Sequence, residues 1–199
     1  MSSQIAILDY RAGNMASVQK AFEHLGKHVI VTSSPMDVCR AEKIVLPGVG
    51  HFDSTRTLDA MALREPILDA ISAGAPFLGI CVGMQWMYNG SVEAPGVIGL
   101  GLLDGMCERF PANVKSPHVG WNTLRKTGES KLLNGIANDA YVYFTHSYRA
   151  PLTSECIAAT EYGGEFSAAV EHNNIFGVQF HPEKSGDIGL QILRNFCEL

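Results

Sequence analysis

The chain has 199 residues, of which 46% are hydrophobic and 18% charged, and its formal net charge is −5. This balance fits a compact globular protein with one sizeable core and excludes a disordered chain. The acidic charge and the lack of any Lys/Arg run argue against nucleic acid as the main partner, and no apolar stretch reaches the about 18 residues that a membrane-spanning helix needs. One domain, residues 1–199, is the default expectation.

The segment Met1-Ser2-Ser3-Gln4-Ile5 has no basic stretch ahead of its apolar residues and leads into a strand rather than a signal peptide. Gln4 to Asp9 predicts a buried strand ending in the turn Asp9-Tyr10-Arg11-Ala12-Gly13-Asn14. Met15, Val18, Phe22 and Leu25 then recur at helical spacing, with Gly26 as a C-cap. Val29 to Val31 and Ile44 to Leu46 predict two further strands, and the β-α-β alternation implies parallel pairing. Pro47-Gly48-Val49-Gly50-His51-Phe52 follows the third strand. Its glycines allow backbone N–H groups to approach a ligand closely, although a plain strand-to-helix turn has the same composition. Leu58, Met61, Leu63, Ile67, Leu68 and Ile71 supply helical faces, with an interruption expected near Pro66.

Ala75 to Gln85 is a short apolar run entering Gly79-Ile80-Cys81-Val82-Gly83-Met84-Gln85. This is the cysteine form of the nucleophile elbow, where a strand turns sharply into a helix and presents a side chain. The head of a helix favours a thiolate over a thiol. A lone GxCxG also describes a packed thiol between two glycines. Asn89 to Gly101 reads as loop. Short strands are expected at Gly105 to Phe110, Trp121 to Leu124, Tyr141 to His146, Cys156 to Glu161, Ser167 to Glu171 and Ile175 to Phe180. Turn signals separate them, which predicts antiparallel additions to the sheet. Asp187 to Leu199 closes the chain as a helix with Ile188, Ile192, Leu193 and Phe196 on its core face.

The five cysteines, Cys39, Cys81, Cys107, Cys156 and Cys197, form no CxxC pair, so neither a metal site nor a disulfide framework is expected. Free thiols in a cytoplasmic setting follow, four of them packed as small hydrophobes. Seven histidines compete as partners for Cys81. His24, His28 and His172 lie at element ends or in turns, whereas His51, His118, His146 and His181 have unusual neighbours. His181 stands in Gln179-Phe180-His181-Pro182-Glu183 directly after an apolar strand. Residues i and i+2 of an extended segment share a side, so Glu183 can orient one ring nitrogen and leave the other for a thiol, although an isolated His-Pro-Glu equally describes a turn that ends a strand.

The elbow, the upstream glycine loop and the C-terminal His-Pro-Glu, in this order, resemble the class I, triad-type glutamine amidotransferases. The resemblance implies a flavodoxin-like α/β fold, an open and mostly parallel sheet with flanking helices and added antiparallel strands. It further implies Cys81 as nucleophile, His181 as base and acid, Glu183 as its orienter, and glutamine as substrate. Backbone N–H groups of Val82 and of the loop at Val49 and Gly50 would form the oxyanion hole. Val82 stands where the family more often has leucine, which leaves a main-chain role intact.

Three finer motifs, Pro117-His118-Val119-Gly120-Trp121-Asn122, Tyr143-Phe144-Thr145-His146-Ser147-Tyr148 and His181-Pro182-Glu183-Lys184-Ser185, are similar to those of glutaminase subunits of imidazole glycerol phosphate synthase. Arg11, where that family commonly has glycine, puts the shape of the first turn in doubt. This resemblance implies glutamine held by Gly50, Gln85 and the main chain around His146, Ser147 and Tyr148, with no cofactor. It implies a partner as well: a separate (β/α)₈-barrel cyclase, too large at about 250 residues to share this chain. Asn14, Trp121 and Lys184 carry over to the partner interface, though Trp121 also suits a core and Lys184 a solvated surface. The nearest alternatives are the glutaminase subunit of anthranilate or aminodeoxychorismate synthase and a flavodoxin-like cysteine hydrolase.

Overall fold

The apolar runs become strands and the segments between them supply the crossovers. In the computed structural model, which describes residues 4–12 and 14–199, β1 (Ile5–Leu8), β2 (Val29–Thr32), β3 (Lys43–Leu46) and β4 (Phe77–Ile80) pair in parallel. Met1 to Ser3 and Gly13, named above for the N-terminus and the first turn, lie outside the described residues. Both faces of β1 and β4 are buried, which is why they read as unbroken apolar runs rather than alternating ones. Arg11 takes the left-handed conformation that favours glycine, with φ 64, and its N–H donates to Asp9 Oδ1 at 2.9 Å. The turn therefore keeps a glycine-like shape with arginine in place.

The crossovers are α1 (Met15–His24), α2 (Pro35–Arg40), α3 (Arg56–Ala60) and α4 (Arg64–Ser72). α1 buries Val18 and Phe22 and ends ahead of Gly26, whose φ is 71. α2 had no counterpart in the sequence reading: it is six residues long, with Pro35 in its first turn and Val38 buried. The interruption expected at Pro66 occurs instead at Ala62, with φ 54, between α3 and α4. Pro66 sits in the first turn of α4, where an N–H has no helical acceptor in any case.

Beyond β4 come α5 (Val82–Gln85), β5 (Gly90–Ser91), β6 (Met106–Arg109), β7 (His118–Lys126), β8 (Ala140–His146), β9 (Tyr148–Arg149), β10 (Cys156–Glu161), β11 (Glu165–His172), β12 (Ile175–Val178) and α6 (Gly186–Cys197). The main sheet has nine strands in the order β2-β1-β3-β4-β12-β11-β10-β7-β8, so the α/β class holds, with an antiparallel wing on a parallel core. β5 falls in the stretch expected as loop, and two of the expected strands depart in their pairing. β6 leaves the main sheet and joins β5 and β9 in a separate three-stranded one. β12 is antiparallel to β11 but parallel to β4 on its other side, so it belongs to the parallel core.

That pairing positions the site. Ile80 lies opposite Val178, and Gly79 opposite Leu46, so the segments leaving β3, β4 and β12 emerge together at the carboxyl edge. Among the cysteines, Cys81, Cys107 and Cys197 are buried, Cys156 is half-buried and Cys39 is exposed, so the expectation of four packed thiols fails at Cys39. No helix among the described residues is long and apolar enough to cross a membrane.

α6 buries Ile192, Leu193 and Phe196, and the Phe196 ring meets Phe22 at 6.5 Å and Phe176 at 6.1 Å, edge to face. Its Gly189 packs against the segment after His181: a Cβ there would lie 1.9 Å from the Pro182 carbonyl oxygen. Gly189→Ala is expected to cost about 1–3 kcal/mol, a fall in Tm of roughly 2–12 °C by thermal unfolding.

Candidate active site

Cys81 sits where β4 turns into α5, with φ 54 and ψ −107, a backbone conformation that non-glycine residues rarely adopt. Such strain costs of order ~1–3 kcal/mol and persists only where the surroundings over-determine it. Here the Cys81 N–H donates to Val178 O at 2.7 Å, and its carbonyl accepts from Gln85 N at 3.0 Å. Gly79 and Gly83 make the turn possible. A Cβ on Gly83 would lie 2.0 Å from Leu46 O, and one on Gly79 2.6 Å from Gly83 O.

His181 follows β12, its N–H donating to Tyr143 O at 2.9 Å and its carbonyl accepting from Ser185 Oγ at 2.7 Å. Its Nδ1 meets Glu183 Oε1 at 2.9 Å, with both side chains 1% exposed. That bond commits Nδ1–H to the carboxylate, so Nε2 is the ring atom left for Cys81. Nε2 makes no hydrogen bond among the described residues. Burial opposes a charge on this ring, but the neighbouring Cys81 and Glu183 outweigh it and raise the imidazole from 6.5 to about 10. A ring so placed can move a proton between a sulfur and a third group while the carboxylate steadies its charge.

The glycine loop lies against this turn. A Cβ on Gly48 would lie 2.7 Å from Val82 Cβ and 2.8 Å from Gly83 N. Val49 is half-buried and Gly50 exposed, with φ 94. The N–H groups of Val49, Gly50 and Val82 have no acceptor among the described residues, so all three are free to donate. Beyond the loop, Glu93 Oε2 accepts from Phe52 N at 2.8 Å, a carboxylate that the sequence reading did not single out.

Of the residues expected around the substrate, Gln85 reaches Tyr148: its Nε2 donates to Tyr148 O at 2.8 Å. His146 Nδ1 donates to the same oxygen at 2.8 Å, while the Ser147 carbonyl accepts from Phe110 N at 3.1 Å. No hydrogen bond joins Gly50 to this group among the described residues. His118 and His146 are a buried pair, Nδ1 to Nε2 at 3.2 Å, inside a cluster with Phe110, Phe144, Tyr162 and Phe166. Burial holds them neutral, lowering His118 to about 4 and His146 to about 3. Both differ in this from His181, whose value is raised. The exposed His51 instead caps the turn after the loop, its Nδ1 accepting from Asp53 N at 3.0 Å.

Trp121 is 55% exposed and stands edge-on to Tyr143 at 5.9 Å, while Lys184 Nζ lies over the same Tyr143 ring at 5.9 Å. The core alternative for Trp121 is therefore excluded. Asn14 Oδ1 accepts from Ser17 Oγ at 2.9 Å at the start of α1. No cluster of metal-ligating side chains occurs among the described residues.

A family model described as "Glutamine amidotransferase class-I" matches residues 6–199. The imidazole glycerol phosphate synthase subunit HisH of Methanothermobacter thermautotrophicus is 48% identical over 196 residues, covering 98% of this chain and 98% of its own. The subunit of the same name from Deinococcus radiodurans is 46% identical, covering 97% and 92%. The chain belongs to the HisH family of class I glutamine amidotransferases. Solved structures agree on the fold alone: a glutamine amidotransferase superposes with a TM-score of 0.77 at 17% identity, covering 98% of this chain and 97% of that one. PurLQS from Thermotoga maritima superposes with a TM-score of 0.76 at 19% identity, covering 100% and 99%.

Two residues of this HisH-family site went unassigned in the sequence reading. Gln179 donates from Nε2 to the Cys81 sulfur at 3.6 Å, and its two-residue spacing from His181 was an available signal. Ser185 had none: its Oγ accepts from Tyr143 N at 3.0 Å and donates to His181 O, tying β8 to the histidine.

The raised value of His181 has a consequence for stability. Its contribution is complete below the unfolded value of about 6.5 and is lost as pH rises through about 10. Thermal unfolding followed from about pH 7 to about 10 is expected to show a steeper loss of Tm for the unaltered chain than for His181→Gln. Parallel curves would contradict the charged ring.

Proposed function

We propose that this chain hydrolyses the side-chain amide of glutamine to glutamate and ammonia through a thioester on Cys81, as the glutaminase subunit of imidazole glycerol phosphate synthase in histidine biosynthesis. The observation that carries the chemistry is a cysteine at a strained strand-to-helix turn, beside a histidine whose other nitrogen is held by a buried carboxylate. Membership of the HisH family supports the reaction class and the pathway.

The steps follow from the groups present. The Cys81 sulfur attacks the amide carbon, and the carbonyl electron pair moves onto oxygen. N–H groups of Val82 and of Val49 or Gly50 donate to that oxyanion, each such donor being worth about 10²–10³ in kcat. Protonated His181 gives its Nε2 proton to the amide nitrogen, the C–N bond breaks, and ammonia leaves the thioester behind. Neutral His181 then takes a proton from water as the oxygen attacks the same carbon. The C–S bond breaks, restoring the sulfur anion and the imidazolium, and glutamate departs after losing its carboxyl proton to solvent. Gly50, Gln85 and the main chain at His146, Ser147 and Tyr148 would line the glutamine site.

Ammonia passes, on this reading, to a separate (β/α)₈-barrel cyclase that forms imidazole glycerol phosphate and aminoimidazole carboxamide ribotide, both subunits working in the cytoplasm. On the same reading, residues 1–199 form one domain devoted to the glutaminase step. Exposed Trp121 and Lys184, gathered on Tyr143, support a docking face that also draws in Asn14.

Cys81→Ala is expected to abolish glutamine hydrolysis while the complex with its cyclase still uses added ammonium; glutamine-dependent synthesis by that variant would refute the nucleophile. The isolated chain is expected to turn glutamine over slowly and to speed up when cyclase and nucleotide are added. Equal rates would exclude partner control of the glycine loop. Trp121→Ala should leave Tm unchanged but weaken cyclase binding about 30-fold, as loss of a ~2 kcal/mol aromatic anchor does, measured by titration calorimetry.

A further inference from the structure

Behind Cys81 lies a chain of two side-chain amides, of which the steps above leave Gln179 unused. Gln179 is 0% exposed and Gln85 2%, and the Gln179 Nε2 atom is 3.6 Å from the Cys81 sulfur. Gln179 Oε1 accepts from Gln85 Nε2 at 3.0 Å, and the same Gln85 nitrogen donates to Tyr148 O at 2.8 Å.

A carboxamide's oxygen and nitrogen are alike in shape, so their assignment has to come from their partners. The Tyr148 carbonyl is an acceptor only, so the Gln85 atom facing it is the nitrogen. Both hydrogens of that nitrogen are then committed, one to Tyr148 and one to Gln179. Gln179 must turn its oxygen toward Gln85 and its N–H toward the sulfur. The second lone pair of the Tyr148 oxygen is taken by His146 Nδ1, so His146 Nε2 accepts from His118 Nδ1 at 3.2 Å. Reversing either glutamine would face donor to donor or acceptor to acceptor inside a buried network, and buried unmade bonds are costly. The backbone agrees: Ile80 pairs with Val178, so the next residues, Cys81 and Gln179, leave their strands side by side.

We propose that Gln179 is a further catalytic residue of glutamine hydrolysis, its amide N–H donating to the Cys81 sulfur and holding it as the charged nucleophile. The proposal rests on the glutaminase reading above. An N–H bond to an anion is stronger than one to a neutral acceptor. The contact therefore favours the sulfur anion that attacks, weakens while the sulfur carries the acyl group, and is regained as the C–S bond breaks. Gln85 aims the amide rather than touching the sulfur, so one side chain links the glutamine pocket to the nucleophile.

The test uses the complex with its cyclase and nucleotide. Gln179→Met keeps the length and removes the donor, and kcat for glutamine is expected to fall roughly 10- to 100-fold with KM little changed. Alkylation of Cys81 by iodoacetamide, which needs no glutamine pocket, should slow by a similar factor. Gln179→Glu keeps the shape and the Gln85 contact but sets a carboxylate beside the sulfur, and should be slower still. Thermal unfolding and ammonium-dependent synthesis report whether each variant folds and docks. If Gln179→Met misfolds, Gln179→Glu decides the question alone. A folded variant that alkylates and turns over at the unaltered rate overturns the proposal, as does a rise in KM with kcat and alkylation unchanged. Failure of the underlying reading is distinct: there, Cys81→Ala itself would still hydrolyse glutamine.

Discussion

The register of three parallel strands, β3, β4 and β12, is the constraint on which the site depends. Leu46 lies level with Gly79, and Ile80 with Val178, so the glycine loop, the cysteine and the histidine leave the sheet at one height. The fit has no slack. The first turn of α5 presses on the end of β3 so closely that a single Cβ at Gly83 would fall 2.0 Å from a carbonyl oxygen of Leu46. Gly79 closes the same contact from the other side of the turn. The strain at Cys81 is thus imposed by packing, and the hydrogen bond to Val178 O ties that strain to the strand carrying His181.

Three buried histidines receive opposite electrostatic treatment. His118, His146 and His181 are all almost inaccessible to water, and burial alone pushes any imidazole down. His118 has aromatic faces and an amide around it, and His146 has a carbonyl that works against burial without overcoming it. Only His181 has a carboxylate on one nitrogen and a sulfur near the other, and it alone rises. The neutral pair has a different task. The Tyr148 carbonyl, accepting from both His146 and Gln85, becomes a fixed point between them.

The local geometry of the candidate site was more legible in the sequence than the architecture around it, for identifiable reasons. The elbow and the His-Pro-Glu segment are local patterns, in which one or two residues of spacing determine the geometry. The parallel pairing of β12 is not local. His172-Asn173-Asn174 correctly announces a hairpin to β11, yet nothing in a strand's own residues names the neighbour on its other edge. α2 is too short for periodicity to register, with one buried residue. Pro66 drew the helix break to itself, whereas the actual break is an alanine in a left-handed conformation that no composition rule anticipates. The Gln85–Gln179 contact spans 94 positions, so its logic exists only once the strands are paired.

The division between fixed and adjustable parts follows from burial. Cys81, His181 and the Glu183 carboxylate are sealed in the interior, each with at least one hydrogen bond that sets its position. By contrast, the loop supplying two of the three free N–H groups runs from buried Gly48 to exposed Gly50, where a positive φ is one of several conformations open to glycine. A second route to the surface is stiffer. Tyr143 O accepts from the His181 N–H, Tyr143 N donates to Ser185 Oγ, and the ring of the same residue lies beneath exposed Trp121 and Lys184. A protein covering that tryptophan presses on the residue whose backbone holds the histidine. His181 is thereby connected to the surface through a single side chain, while the free N–H groups of Val49 and Gly50 lie on the glycine loop itself. Any control by a partner acts most readily on the loop, because moving Tyr143 would break two hydrogen bonds of its backbone and moving Gly50 breaks none among the described residues.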